Sequence, residues 1–214
     1  MIIFKNPVSL VLVLLLLSGQ LGLAQHNSRI ESFKGLSYPE KYWVLAHPFI
    51  AGKTYYITKE AKKMAAQVAE YNSIDKDSNG GQMDAFRHAV WMALLVQKIA
   101  PKKAQKLGKA HEKGNYRDFK KNLVEEGAVP DKISSEMDLW NNMAGILIGK
   151  QNREASKDSL KHLVIEAVNA GKMRIIKKDK NGNFLDEDSR IISAESLTGK
   201  WENNKCLVPS DYKP

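Results

Sequence analysis

The chain has a single cysteine, Cys206, among 214 residues. One thiol closes no internal disulfide and builds no cysteine-zinc site, so packing must supply the stability of the fold. Beyond the N-terminus no segment approaches the roughly 20 consecutive apolar residues of a membrane-spanning helix. The sequence has no Gly-x-Ser-x-Gly, no phosphate loop, no dinucleotide fingerprint and no His-Glu-x-x-His. The commonest routes to a serine nucleophile, a nucleotide site or a helical zinc site are therefore missing. Cys206 stands far from every histidine in sequence, which disfavours a cysteine nucleophile. Long repeats and low-complexity tracts are absent as well.

What is present begins with an export signal. Met1-Ile2-Ile3-Phe4-Lys5 carries one positive charge and no acid, and the run from Val8 to Leu17 is apolar except for Ser9. Gly22-Leu23-Ala24 then offers small residues where a signal peptidase reads. This order predicts a signal peptide over residues 1–24, too short in its apolar part to anchor the chain, and with no nearby cysteine to take a lipid. The expected product is periplasmic or secreted, has no transmembrane span after cleavage, and has about 190 residues, enough for one domain with a core.

Lysine and arginine outnumber the acids 33 to 24, a formal charge of +9. A positive protein outside the cytoplasm suits anionic envelope or membrane components as partners. The basic residues are dispersed, as in Lys102, Lys103, Lys106, Lys109 and Lys113, which is equally the pattern of a solvated helix face. Nucleic acid is disfavoured because no binding motif accompanies the charge. Oligomeric state is open.

The periodicity predicts a mainly α fold, a bundle of five or six helices with a small C-terminal β-hairpin. Residues 25–37 read as a linker, 38–171 as the helical domain, 172–198 as a hairpin extension and 199–214 as a tail. After an apolar segment from Tyr42 to Phe49, Thr58 is expected to cap a helix reaching Tyr71, and a second helix runs from Gln82 to Ala100. Pro101 starts a third, ending at Lys113 before Gly114-Asn115, and a short piece covers Tyr116 to Glu126. Ser134 or Ser135 caps the next, to Gln151, with Ser135 and Asp138 at capping-box spacing. Ser156 and Gly171 bound the last. Met173 to Ile176 and Arg190 to Ile192 read as the two hairpin strands about an Asn181-Gly182 turn.

Two of these helices carry polar groups where a buried helix should have none. The second is apolar on all sides from Phe86 to Val96, and such a helix is buried, yet it holds Asp84, Arg87 and His88. Asp84 and His88 are four apart and share a face. A carboxylate beside an imidazole fixes its tautomer and raises its basicity, as both a general base and a metal ligand require. The helix before Gln151 repeats the plan: Met83-Asp84-Ala85-Phe86-Arg87-His88 matches Met137-Asp138-Leu139-Trp140-Asn141-Asn142 in type. Asp138, Asn141, Asn142, Gly145 and Gly149 form one stripe. The two stripes are expected to face each other, with Trp91 in the gap left by Gly145. His111-Glu112 on the third helix is the expected completion.

The candidate site is therefore Asp84, Arg87, His88, His111, Glu112, Asp138, Asn141 and Asn142. It points to a hydrolase acting on an envelope or extracellular substrate, with a divalent metal as an open possibility. The alternative is a binding or structural module whose polar cluster only fixes helix packing. Asp75-Lys76-Asp77-Ser78-Asn79-Gly80 matches the first six positions of a calcium loop, but the closing position is Phe86. An ordinary turn is the preferred reading there, and for Asp179 to Asn183 as well.

Asp84-Ala85-Phe86-Arg87-His88-Ala89-Val90-Trp91, then His111-Glu112, then Met137-Asp138-Leu139-Trp140-Asn141-Asn142-Met143-Ala144-Gly145, together resemble a bacterial domain family of unknown function over roughly residues 40–150. The resemblance implies no chemistry. The Phe86-Arg87-His88 stretch is also faintly similar to the active helix of bacterial phospholipases A2. Those enzymes carry disulfides and place Asp directly after the histidine, where this chain has Ala89.

Overall fold

The computed structural model describes residues 23–71, 73–121 and 129–214, with side chains from residue 29 onward. The expected signal segment lies outside the described residues except for its last two positions, as does the end of the short piece expected to reach Glu126. The described residues form eight helices and one small sheet: α1 (Leu23–Gly35), α2 (Tyr38–Ala46), α3 (Pro48–Ala69), α4 (Gln82–Lys98), α5 (Pro101–Lys120), α6 (Lys132–Gln151), α7 (Lys157–Asn169), β1 (Arg174–Ile176), α8 (Ala194–Leu197) and β2 (Leu207–Pro209). The fold is mainly helical, as expected, with more helices than five or six.

The extra helices come from the N-terminal part. Residues expected as a linker hold α1. At Ser37 the backbone N–H donates to Glu40 Oε2 at 2.8 Å and the hydroxyl to the same oxygen at 2.6 Å. This N-terminal clamp, with Pro39 in the first turn, starts α2. Pro48 starts α3 ten residues before the expected cap. Thr58 lies inside that helix, its hydroxyl donating to Thr54 O at 2.9 Å.

The centre of the fold is α4, where Ala85, Phe86, Ala89, Val90, Met92, Ala93 and Leu95 are fully enclosed. Helices α3, α6 and α7 pack around it. The approach of α6 is unusually close: a Cβ on Gly145 would lie 2.1 Å from Ala89 O, and one on Gly149 2.4 Å from Ala93 O. Two glycines one turn apart thus admit the α4 backbone itself. This corrects the expectation for Trp91, because no ring fits into a gap that backbone already fills. The Trp91 indole instead donates to Thr58 Oγ1 at 3.0 Å.

Helix α5 does not stop at Gly114-Asn115. A Cβ on Gly114 would sit 2.5 Å from Ser37 Oγ, so the glycine admits the start of α2, which offsets its roughly 1 kcal/mol propensity cost. The N-cap of α6 is Asp131, whose Oδ1 accepts from Ser134 N at 2.8 Å, rather than either expected serine. Its Oδ2 accepts from Asn203 Nδ2 at 2.9 Å and Lys205 Nζ at 2.6 Å. An acid anchored by the distant C-terminal segment takes the capping role.

Near the C-terminus β1 pairs antiparallel with β2, Ile175 opposite Val208, and not with residues 190–192. The Asp179–Asn183 turn forms with Gly182 at φ +83°, but only the bridges Lys178↔Phe184 and Leu185↔Ile191 follow it. Lys177 explains the diversion: its buried ammonium donates to Asp186 O, Glu187 O and Ser189 Oγ at 3.1, 3.1 and 2.8 Å, curling that segment on itself. The expected tail supplies the strand instead. Fully buried Ser210 ties it down, its Oγ donating to Val168 O at 2.6 Å and accepting from Met173 N at 3.2 Å. Among the described residues no helix is long and apolar enough to cross a membrane.

Candidate functional site

The close approach of α4 and α6 brings two carboxylates to one imidazole. His88 Nε2 lies 3.5 Å from Asp84 Oδ1 and 3.3 Å from Asp138 Oδ1. All three residues are buried, with ligand atoms within 4.8 Å of one another. Asp84 is held from two sides: Oδ2 accepts from Gly80 N at 2.8 Å, and Oδ1 is ion-paired with Arg87. Asp138 has no comparable support, and its Oδ1 makes no hydrogen bond of good geometry.

This difference sets the charges. Burial pushes Asp138 well above the usual carboxylate range, and the carboxylates of Asp84 and Glu112 push the same way against Arg87 and His111. Burial raises Asp84 as well, but the Arg87 guanidinium and the Gly80 N–H restrain it. Asp138 is thus the member of the pair that is harder to ionise. Burial holds His88 well below its ordinary value, as do the Arg87 and His111 charges, with Asn142 opposing from beside the ring. The imidazole is neutral.

The cluster leaves polar atoms without partners. His88 Nδ1, Asp138 Oδ1 and both side-chain polar atoms of Asn142 are buried and make no hydrogen bond of good geometry, although Asn142 lies close enough to the imidazole to favour its charged form. Each such group costs about 1–3 kcal/mol. Asp84, Arg87, His88 and Asp138 line one end of a cleft of about 100 Å³. Exposed Val129 and the C-terminal residues Phe184 and Lys205 line the same cleft.

The other expected residues divide. His111 is adjacent, its ring 6.2 Å from that of His88 and 5.7 Å from that of Trp91. Its Nδ1 is 3.0 Å from Glu40 Oε1. Glu112 is buried on the same side and accepts from Asn115 Nδ2 at 3.2 Å. Asn141 is not in the cluster: its Nδ2 donates to Arg174 O and its Oδ1 accepts from Arg174 N, both at 2.9 Å, so it docks β1 on α6. Sequence reasoning missed Glu40, which burial would raise but which His111 and Ser37 hold down at about 2. Its signal was legible, since Ser37-x-x-Glu40 before an apolar run is a helix-start pattern.

The Asp75–Gly80 loop makes a turn, as preferred. Asp75 Oδ1 accepts from Asp77 N at 3.0 Å and Gln82 N at 2.9 Å, and Asp77 Oδ1 from Asn79 N at 3.0 Å. The Lys178 ammonium is paired with Asp77 and donates to Asn79 O at 2.7 Å. A fixed cation therefore stands among the oxygens that calcium would need. In the second turn Asp179 Oδ1 accepts from Asn181 N and Asn183 N. Burial pushes the Cys206 thiol up, the wrong direction for a nucleophile.

No curated protein and no solved structure matches the chain. One family model does, over residues 41–172, the stretch that contains both polar stripes and His111-Glu112. The chain belongs to that family, the domain of unknown function DUF6973.

Proposed function

We propose that the protein is an exported hydrolase acting on an envelope or extracellular molecule, with Asp84, His88 and Asp138 as its reacting groups. The observation that carries this reading is the set of unpartnered buried atoms on His88, Asp138 and Asn142 beside the cleft. A network that exists to fix helix packing pairs its own atoms, because an unpaired one is costly in a low dielectric. Asn141 shows that arrangement, with both ends of its amide used. The cluster beside it does not.

The charges suit acid–base chemistry. Burial favours the protonated, donating form of Asp138 and the neutral, accepting form of His88, so one environment prepares an acid and a base. Arg87, with its side chain 24 % exposed, places a guanidinium at the cleft wall. It is suited to a substrate carboxylate or phosphate. Behind His88 stands the Glu40–His111 pair, the His88 and His111 rings 6.2 Å apart.

Purified protein should be assayed against carboxylic esters, phosphoesters and peptidoglycan fragments. Turnover of one class, reduced at least about 100-fold in His88→Gln and Asp138→Asn variants that remain helical, is the expected result. Equal rates in parent and variants would overturn the assignment of the site. Export is tested by intact mass: mature chains beginning near residue 25 outside the cytoplasm are expected, and full-length protein in the cytosol contradicts it.

A further inference from the structure

We infer that Asp84 Oδ1, His88 Nε2 and Asp138 Oδ1 are three ligands of one divalent transition-metal ion, zinc in type, whose remaining position opens on the cleft. The inference deepens the hydrolase reading and rests on the same cluster; with an ion bound, Asp138 gives up its proton and His88 its free lone pair, so the two serve as ligands in place of proton donor and acceptor. Its first support is geometric. Zinc binds imidazole nitrogen and carboxylate oxygen at about 2.0–2.2 Å, so two ligands on a tetrahedral edge stand about 3.4 Å apart. The observed separations from His88 Nε2 are 3.3 and 3.5 Å. A hydrogen-bonded imidazole and carboxylate would close to about 2.7–3.0 Å. Both imidazole–carboxylate separations are thus those of ligands sharing an ion, and all three residues offer ligand atoms within 4.8 Å of one another.

The second support is the partnerless atoms. Asp138 is 6 % exposed and His88 3 %, and the ligand atom of Asp138 makes no hydrogen bond. A ligating histidine ordinarily donates its other ring N–H to a fixed acceptor, which sets the tautomer. His88 Nδ1 makes no hydrogen bond of good geometry, and Asn142, 3 % exposed, lies near enough to the same ring to favour its charged form while its own polar atoms are likewise poorly paired. When Nε2 ligates, the imidazole proton is on Nδ1 and the Asn142 oxygen is the acceptor at hand. Asn142 is thus the positioning residue of the site.

The third support is charge. Two carboxylates brought together out of water need a shared proton or a counter-cation, and a bound cation displaces the proton that burial otherwise keeps on Asp138. Arg87 is ion-paired with Asp84 Oδ1 and reaches Asp138 only through its field, which does not outweigh burial there. Binding of the ion at the Asp84 oxygen requires the guanidinium, 24 % exposed, to leave it. The donor set of one imidazole and two carboxylates is hard enough for zinc or manganese and holds no thiolate for softer ions. With three protein ligands, the ion keeps a place for water, the arrangement of catalytic rather than structural zinc.

The test is calorimetric titration of the metal-stripped full-length protein with Zn²⁺ alone. One saturable ion per chain is expected. His88→Gln and Asp138→Asn should each weaken it by more than about 100-fold, and Asn142→Ala by about 10–100-fold, the range for outer-shell partners. His162→Gln, on an exposed histidine beside Asp158, should bind as the parent does. Zinc-soaked crystals of the unaltered protein supply a readout independent of variant folding, an anomalous peak within bonding distance of His88 Nε2. No saturable binding, full affinity in the His88 and Asp138 variants, or a peak elsewhere overturns the inference. Zinc at this site without hydrolysis of any substrate class leaves the metal site standing and removes the hydrolase. Hydrolysis unaffected by chelator, with no zinc bound, does the reverse.

Discussion

His88 on α4 and Asp138 on α6 stand 3.3 Å apart, Nε2 to Oδ1, without a hydrogen bond of good geometry between them. Fifty residues of chain separate them, and the glycine seam between their helices brings them together. The pair is close enough to cooperate on a bound atom and too poorly paired to serve as a packing device.

The protonation of Asp138 gives the first prediction. Its folded value is raised well above 3.8, so the native state holds a proton that the unfolded chain releases. Stability then falls as pH rises from about 4 towards the folded value. Asp138→Asn removes that loss. In urea titrations the variant should be more stable than the parent at pH 7.5, and the two should converge near pH 4. A variant less stable at pH 7.5 would mean that Asp138 is a well-satisfied anion.

Glu40 behaves oppositely. Its value drops from 4.5 to about 2 despite burial, through His111 and Ser37. Its contribution is present above pH 4.5 and lost as pH falls through about 2, on the order of 3 kcal/mol in full. Glu40→Gln should therefore be less stable than the parent at pH 6 by an amount of this order. The gap should narrow steadily in denaturant titrations taken down to pH 2.5.

The seam between α4 and α6 predicts a contrast between glycines. Gly145→Ala places a methyl 2.1 Å from Ala89 O, backbone that cannot yield cheaply. The expected loss is about 3 kcal/mol or more, at the upper end of overpacking costs. Gly52→Ala, within α3, meets nothing within 4 Å and should stabilise by about 1 kcal/mol. Chemical denaturation of both reads the difference directly.

Asn141→Ala removes both bonds from α6 to the Arg174 backbone and strands two polar groups, a cost of about 2–4 kcal/mol. Hydrogen exchange should locate the damage at residues 174–176 and 207–209, with amides of α4 still protected. Loss of protection at Asp84 and His88 instead would place Asn141 in the site after all.

Much of the site was legible because its signals are local or periodic. The step of four from Asp84 to His88 and the repeat of Met-Asp-apolar-apolar-polar-polar in α6 pointed to facing stripes, and Asp84, His88, Asp138 and Asn142 do meet. The same periodicity misplaced Trp91, because it says which residues share a face but not how near two backbones come. Ala89 and Ala93 opposite Gly145 and Gly149 were the readable sign of a close seam. Asn141 shares the stripe with Asn142 yet turns to β1, a choice made by a strand whose partner lies some thirty residues further on. The capping of α6 by Asp131 and the burial of Ser210 depend on the C-terminal segment in the same way. Local polarity there suggested a tail, while long-range pairing made it part of the fold.

The unfolding free energy of His88→Gln at pH 7 tests the central claim, that this cluster is built for a ligand and not for packing. Gln keeps most of the volume. Its substitution strands no charge, because burial favours the neutral form of Asp138 while Gly80 and Arg87 hold Asp84. The account predicts a value within about 1 kcal/mol of the parent, or above it, since functional groups are commonly retained at a cost in stability. A loss of about 3 kcal/mol or more, the signature of breaking a satisfied buried pair, would contradict it.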